Sequence, residues 1–279
     1  MPGTLYVVAT PIGNLEDVTL RALRVLREVS VIAAEDTRRT ARLLQHYSIS
    51  TRTTSLHEHN ERSKSAALIA RLLAGDSVAL VSDAGTPLVS DPGSHLVAEA
   101  HQNGIPVEPI PGPNAAIAAL SAAGFGKTEF IFAGFPPPRS NDRKRWLERF
   151  VNEPRVLIIY EAPHRIRATL QEILEVLGNR LTALGRELTK AHAELVVRPI
   201  KLHLDTELQE RGEFTVVVDG APLAVVAAPT PPSADQLRAE IGEMTNAGAA
   251  TRRETIRALA KRHGLSNRQV FDLLEQAKK

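Results

Sequence analysis

The chain has 279 residues, 43% of them hydrophobic, which is enough for more than one packed domain, and its formal net charge of +2 does not by itself point to a polyanion partner. It contains no cysteine, which excludes disulfides, thiolate catalysis and cysteine-based zinc sites. There is no apolar run of bilayer-spanning length and no charged start leading into a long apolar stretch, so a cytosolic (cytoplasmic) protein without a signal peptide is expected.

In chain order, residues 4–9 read as a strand, 15–29 as an amphipathic helix, and 29–34 as a second strand. Helices are expected at 37–47 and 61–74, and buried strands at 77–82 and 105–110. This alternation predicts an α/β unit, a parallel sheet with helices on both faces, over residues 1–113. A second α/β unit is expected over 114–220. It opens with an Ala-rich helix at 114–123 that Gly124 and Gly126 end. Strands at 128–133, 155–160, 181–188, 193–198 and 213–218 and helices at 143–151 and 165–177 follow, and their less regular order predicts a mixed sheet. Residues 221–234, rich in Pro and Ala and without charge, read as a semi-rigid linker. Residues 235–279 read as a small helical domain broken at 264–266, a helix-turn-helix outline. Leu259, Leu265, Val270, Phe271 and Leu274 are its expected core.

Loops that follow strands carry the chemistry. The most informative is Ser82 to Gly93, where two Asp, two Pro and two Gly fall within eleven residues after a buried strand. Ligands of α/β proteins lie at such carboxyl ends. Thr10-Pro11-Ile12-Gly13-Asn14 lacks the three-glycine phosphate fingerprint. In Glu35-Asp36-Thr37-Arg38-Arg39, Asp36 either caps the next helix or, like Arg38, faces a substrate. Pro111 to Asn114 leads into a helix whose small Ala115 and Ala116 leave room for a ligand or for tight packing. Tyr160 to Arg165 and Gly185 to His192 add charged side chains at strand ends. His57 and His59 have no matching ligands elsewhere, so no metal is expected. Neither a GxSxG elbow nor a GxxxxGK[ST] loop is present.

VATPIGNLED, AAEDTRRT, VSDAGTPLVSDPG, PIPGPNAAIAAL, FAGFPPP, YEAPHRI, GRELTKAHAE and GEFTVVV occur in that order. This set closely resembles the small-subunit ribosomal RNA methyltransferase I family, of the tetrapyrrole-methylase fold, over residues 4 to about 219. The resemblance implies two α/β domains with S-adenosylmethionine between them, a homodimer, and 2′-O-methylation of a cytidine in the decoding region of 16S ribosomal RNA. It implies cofactor contacts at Pro11, Ala84, Gly85, Thr86, Val89, Ala115, Ala116, Glu161 and Leu188. Many tetrapyrrole-acting relatives carry Gly-Asp-Pro where this chain has Gly85-Thr86-Pro87, which weighs against a tetrapyrrole substrate.

A ribose hydroxyl is a poor nucleophile at neutral pH and needs a proton acceptor or a cation beside it. Glu187 or Asp36 is the candidate base, and Arg186 or Lys190 the candidate partner of the alkoxide or of a flanking phosphate. For RNA contact, positive charge gathers around Arg143, Lys144 and Arg145, with Arg139 and Arg149. Arg253, Arg257 and Lys261 form a second stripe along one helical face, near Arg252, Arg262 and Arg268. Few aromatic residues (4%) favour shape and phosphate contacts over base stacking. The rivals are a small-molecule, tetrapyrrole-like methylase and a non-catalytic RNA-binding or assembly protein.

Overall fold

The short Val-, Ala- and Leu-rich runs of the first unit form a wholly parallel sheet in the computed structural model, which describes residues 1–222, 232, 236–237, 239–241, 252–263 and 265–276. The elements in order are β1 (Leu5–Val8), a 3-10 turn (Leu15–Asp17), α1 (Leu20–Glu28), β2 (Val31–Ala34), α2 (Thr37–His46), β3 (Thr53–Ser55), α3 (Glu61–Leu73), β4 (Val78–Val81), α4 (Ser94–Gln102) and β5 (Val107–Ile110). The sheet order is β3-β2-β4-β1-β5. Every neighbouring pair is parallel, so the loops after β1, β2, β4 and β5 emerge along one edge.

Strand alternation divides the core. In β2, Ile32 and Ala34 pack with Leu23 and Leu26 of α1 and Leu43 of α2. Val31 and Ala33 face the other way, onto Leu68 and Leu72 of α3 and Leu96 of α4. Both faces are apolar because helices cover both, as parallel sheets require.

The second sheet is built from β6 (Phe130–Phe132), β7 (Val156–Glu161), β8 (Leu181–Arg186), β9 (Glu194–Pro199) and β10 (Phe214–Val218), in the order β6-β7-β10-β8-β9. Only β6 and β7 are parallel; the other pairs run antiparallel. Helix α5 (Ala115–Ala123) covers one face with Ala116 and Ala119 against Ile158 and Val217. On the other face, α6 (Ser140–Glu148), α7 (Ile166–Leu177) and α8 (Ile200–Leu204) bury Leu147, Leu170, Ile173 and Ile200 against Leu157, Ile159 and Val216. Phe214 pairs with both Glu161 and Arg186. The end of β7, the end of β8 and the start of β10 therefore meet at one edge. Both sheets lie in a single compact unit, Met1–Ala221.

Some boundaries differ from the sequence reading. The expected helix over 15–29 splits because two caps compete. Asn14 takes the Glu16 N–H and starts the 3-10 turn, and Thr19 takes the Ala22 N–H and starts α1. Helix α6 starts three residues before the expected 143. Strand β3 and helices α4 and α8 have no counterpart in that reading.

The other compact unit is Pro222–Lys279. Helices Arg252–His263 and Asn267–Gln276 bury Leu259, Ala260, Val270 and Leu274 together with Leu237. Ser266 and Gln269 cap the second helix reciprocally: Ser266 Oγ accepts the Gln269 N–H at 3.2 Å, and Gln269 Oε1 accepts the Ser266 N–H at 2.8 Å. Phe271, expected in this core, is 44% exposed. Most of the expected linker 221–234, Gly264 and the side chain of Arg252 lie outside the described residues.

Candidate functional site

A cavity of about 460 Å³ lies where the two sheet edges meet. The first sheet contributes Glu35 after β2 and Asp83, Gly85 and Asp91 after β4. The second contributes Tyr160 and Glu161 of β7, Leu188 after β8 and Phe214 of β10. A second chamber of about 370 Å³ is formed by the loop after β1, one face of α2 and the start of the loop after β4. Ile12, Arg39, Asp83, Ala84, Lys190 and Glu213 line both, so the chambers adjoin each other.

The loop after β4 is folded back on itself at some backbone cost. Leu88 and Ser90 both take left-handed φ, +69° and +72°, where side chains other than glycine are strained. Gly85, at φ +84°, pairs with Thr10 through two backbone hydrogen bonds of 2.8 and 3.0 Å. Thr86 donates to the Pro113 carbonyl at 3.1 Å. The far end is fixed by Glu61, whose carboxylate accepts the N–H groups of Gly93 and His95 at 3.0 and 2.7 Å. These ties bring Asp91 back towards Glu35 and Asp83. Asp83 Oδ1 accepts the Asp36 N–H at 2.9 Å, and Glu35 Oε2 accepts the Asp83 N–H at 3.2 Å. Burial pushes the Asp91 carboxyl up to about 6; Glu35 and Asp83 add to the rise, and the Ser82 hydroxyl opposes it. Burial raises Glu35 as well, against the Asp83 N–H.

The loop after β8 repeats the device. Glu187 and Thr189 have φ of +48° and +69°. Glu187 Oε1 accepts from Lys190 Nζ and from the Glu213 N–H, both at 2.8 Å, and Oε2 has no partner among the described residues. Burial works to raise the Glu187 carboxyl, but the Lys190 hydrogen bond, the Glu213 amide and the charges of Lys190 and Arg186 outweigh it and hold it below its ordinary value. Burial likewise disfavours the Lys190 cation, yet Glu187 and Glu213 raise its pKa. The loop is stitched to the first sheet: Thr189 Oγ1 accepts the Asn14 N–H at 3.0 Å. A Cβ on Gly13 would stand 2.5 Å from Lys190 Cγ.

Comparison with known proteins places this geometry. Residues 4–202 match the tetrapyrrole (corrin/porphyrin) methylases. The ribosomal RNA small subunit methyltransferase I of Pseudomonas aeruginosa is 52% identical over 223 residues, 78% of this chain and 79% of that protein. The protein of the same name from Micromonospora olivasterospora is 44% identical, over 99% of this chain and 87% of its own length. The chain belongs to the ribosomal RNA small subunit methyltransferase I family. Among solved structures, uroporphyrin-III C-methyl transferase from Thermus thermophilus, in complex with S-adenosyl homocysteine, shares the fold at a TM-score of 0.55 and 19% identity, over 77% of this chain and 97% of that one. The protein is a methyltransferase, and S-adenosylmethionine is its cofactor.

The larger chamber fits that cofactor. Ile12, Val89, Ala115 and Leu188 give it apolar surface, and the backbone is bare at Gly85. Glu35, Asp83 and Asp91 set negative charge against a ligand that carries a sulfonium and an ammonium.

Of the residues expected to touch the cofactor, Ala84, Gly85, Thr86, Val89, Ala115, Glu161 and Leu188 line this chamber. Pro11 lines the smaller one. Ala116 lines neither; it is buried against the second sheet, and its N–H donates to Asn114 Oδ1 and the Tyr160 hydroxyl. The carboxylate of Glu161 is already engaged by Arg165, Thr169 and the Ala162 N–H, all within 2.7 Å, so it supports the wall.

Of the four candidate catalytic groups, the fold brings Glu187 and Lys190 to the cavity and leaves Asp36 and Arg186 outside the lining. Asp36 caps α2 and pairs with Arg38, whose hydrogen bonds lower its carboxyl pKa. Arg186 pairs with Glu194 at 3.0 Å. Arg143 is removed from the RNA-facing set: it is 4% exposed, holds Glu172 through two hydrogen bonds and donates to the carbonyls of Pro137 and Pro138. Lys144 and Arg145 stay at the surface, paired with Glu175 and Asp142. Arg38, Arg253, Arg257 and Lys261 are exposed.

Sequence reasoning did not single out Asp83, Asp91, Arg39, Phe135 or Glu213. The two aspartates stand in the most heavily punctuated stretch of the chain, so a signal existed. Glu213 stands in GEFTVVV, one of the motifs that carry the resemblance, so a signal existed there too.

Proposed function

We propose that the enzyme methylates the ribose 2′-hydroxyl of a cytidine in 16S ribosomal RNA, in the decoding region of the small subunit. The observation that carries this reading is the Glu187–Lys190 pair, held by two left-handed residues at the boundary between a cofactor-sized chamber and a second, cation-lined one. The names of relatives 43–52% identical support a ribosomal RNA substrate, whereas the tetrapyrrole-acting neighbours share the fold at about a fifth identity.

When bound, the cofactor supplies a sulfonium methyl, whose carbon–sulfur bond breaks with the electron pair left on sulfur as the oxygen–carbon bond forms. The protein's own groups do the rest. Glu35, Asp83 and Asp91 favour a positively charged ligand over a neutral one. Glu187 Oε2, free of partners among the described residues, accepts the hydroxyl proton. A carboxylate held below its ordinary pKa is a weak base, so this transfer comes late, when the oxygen has already begun to bond to carbon. Lys190 fixes the carboxylate and steadies charge on the oxygen. The strained loops hold both groups in place before the substrate arrives.

RNA is held at the surface through Arg38, Lys144, Arg145, Arg253, Arg257 and Lys261. The enzyme works as a homodimer in the cytoplasm. Partly exposed Leu181, Val197 and Leu202 supply apolar surface around edge strand β9. Among the described residues no helix is long and apolar enough to cross a membrane.

The test is incubation of the purified protein and S-adenosylmethionine with small ribosomal subunits from cells that lack its gene, followed by digestion to nucleosides and mass spectrometry. One 2′-O-methylcytidine per subunit supports the reading. A methylated base, or methyl on a porphyrinoid but none on RNA, refutes it.

A further inference from the structure

The smaller chamber adjoins the cofactor cavity and is lined differently from it. Its apolar wall is Pro11, Ile12, Leu15 and Leu43. Its charged rim is Arg39, Arg42 and Lys190, set against Asp83 and Glu213. Arg39 and Arg42 stand three residues apart on α2 and so point to one side of that helix. Their state differs from that of their neighbour Arg38, which spends two side-chain hydrogen bonds on its own helix cap. Among the described residues Arg39 reaches only Asp83, at 3.4 Å, beyond a good charge-assisted hydrogen bond. Arg42 has no hydrogen bond or ion pair among the described residues. Two guanidiniums that line a cavity with most of their donors unused are suited to an anion with several acceptor oxygens, such as a phosphate.

We propose that this chamber takes a single extruded nucleotide of the substrate RNA and that Arg39 and Arg42 form its phosphate clamp. The inference rests on the RNA-methylating function proposed above and deepens it. A chamber of about 370 Å³ is near the lower end of small-ligand pockets. It admits one nucleotide and excludes a base pair, so the target must be unpaired on entry. The apolar wall covers base and sugar without an aromatic platform. The phosphate sits at the α2 side, and the sugar lies towards Lys190 and the shared boundary, where the 2′-oxygen meets Glu187. Asp83 and Glu213 on the rim repel phosphate from the cofactor side and so fix which way the nucleotide enters.

The test uses full-length Arg42→Ala, Arg39→Ala and the double variant, with small subunits lacking the modification as the probe. Arg24→Ala, which removes an exposed positive charge on α1 that does not line the chamber, is the control. The clamp predicts that KM for subunits rises about tenfold for each variant while kcat stays within about twofold. It predicts that the slope of log affinity against log salt falls by about 0.7 for each lost phosphate contact. Arg42→Lys restores part of the affinity, because it keeps the charge and loses the fork. Calorimetry gives Arg42→Ala an unchanged affinity for S-adenosylmethionine. Arg42 has no partner to lose, so that variant decides the matter if Arg39→Ala misfolds. A KM and salt slope for Arg42→Ala equal to those of the control overturn the clamp and leave the function standing. Wild-type protein that transfers no methyl to ribosomal RNA overturns both.

Discussion

Asp91 shows how far a side chain's chemistry is set by what the loop around it does. Its carboxyl titrates near 6 because burial and two neighbouring carboxylates disfavour its charge. A folded-state pKa above the unfolded value means that the native state holds the proton more tightly. Stability is therefore lost as pH rises from about 4 through about 6. Asp91→Asn should melt higher than wild type at pH 7.5, and the two melting curves should converge as pH falls towards 4. The same change should weaken S-adenosylmethionine binding about tenfold at pH 7.5 and flatten its dependence on pH between 5 and 7, since the charge that attracts the sulfonium is gone. Calorimetry across that range checks it. Arg143 makes the opposite case. Its ion pair with Glu172 is buried, with side-chain exposures of 4% and 8%. Arg143→Ala strands the Glu172 charge and should cost about 3–5 kcal/mol of stability, seen as a lower denaturation midpoint, with the salt dependence of RNA binding unchanged. The sequence could not tell this arginine from Lys144 and Arg145. Three adjacent cations on a helix point in three directions, and which one meets α7 depends on tertiary packing.

At the scale of elements, the site is an arrangement of loops at strand ends, and this part was legible beforehand. Buried strands read as apolar runs, and dense Gly, Pro and Asp after β4 marked a loop that does more than turn. What the residues did not announce is the left-handed backbone at Leu88, Ser90, Glu187 and Thr189. None of these is glycine, and only the closure of the surrounding structure holds them there. Strand β3, three polar residues long, and helix α4, whose apolar face is small, were too weak in pattern to read. The contact between the Gly13 loop and the β8 loop joins residues far apart in sequence, so it too was hidden. It should be functional: Gly13→Ala pushes on Lys190 Cγ, Thr189 Oγ1 and the Leu188 carbonyl, at 2.5, 2.8 and 3.0 Å. Turnover should fall about 100-fold, on the order of what a 1 Å misplacement costs, while the melting temperature moves little. Steady-state kinetics beside a thermal melt distinguish this from simple unfolding.

The molecule as a whole divides into the two-sheet unit, Met1–Ala221, and the helical unit, Pro222–Lys279. Every residue lining either chamber belongs to the first. The helix-turn-helix outline of the second was readable from the Gly-Leu-Ser break at 264–266 within a helical segment. Its core was only partly so, since Leu237 joins it from outside the two helices and Phe271 stays out. Removal of residues 222–279 should leave S-adenosylmethionine affinity intact. It should lower RNA affinity and reduce the salt slope by about 2, the share of three phosphate contacts from Arg253, Arg257 and Lys261. Filter binding at several salt concentrations measures this.

In the proposed mechanism the chemistry rests on Glu187 and Lys190. Single-turnover transfer of labelled methyl to small subunits, with cofactor and subunits both saturating, isolates that step. Glu187→Gln and Lys190→Ala should each slow it by about 100-fold or more with cofactor affinity unchanged. Rates equal to wild type in both variants would contradict the account.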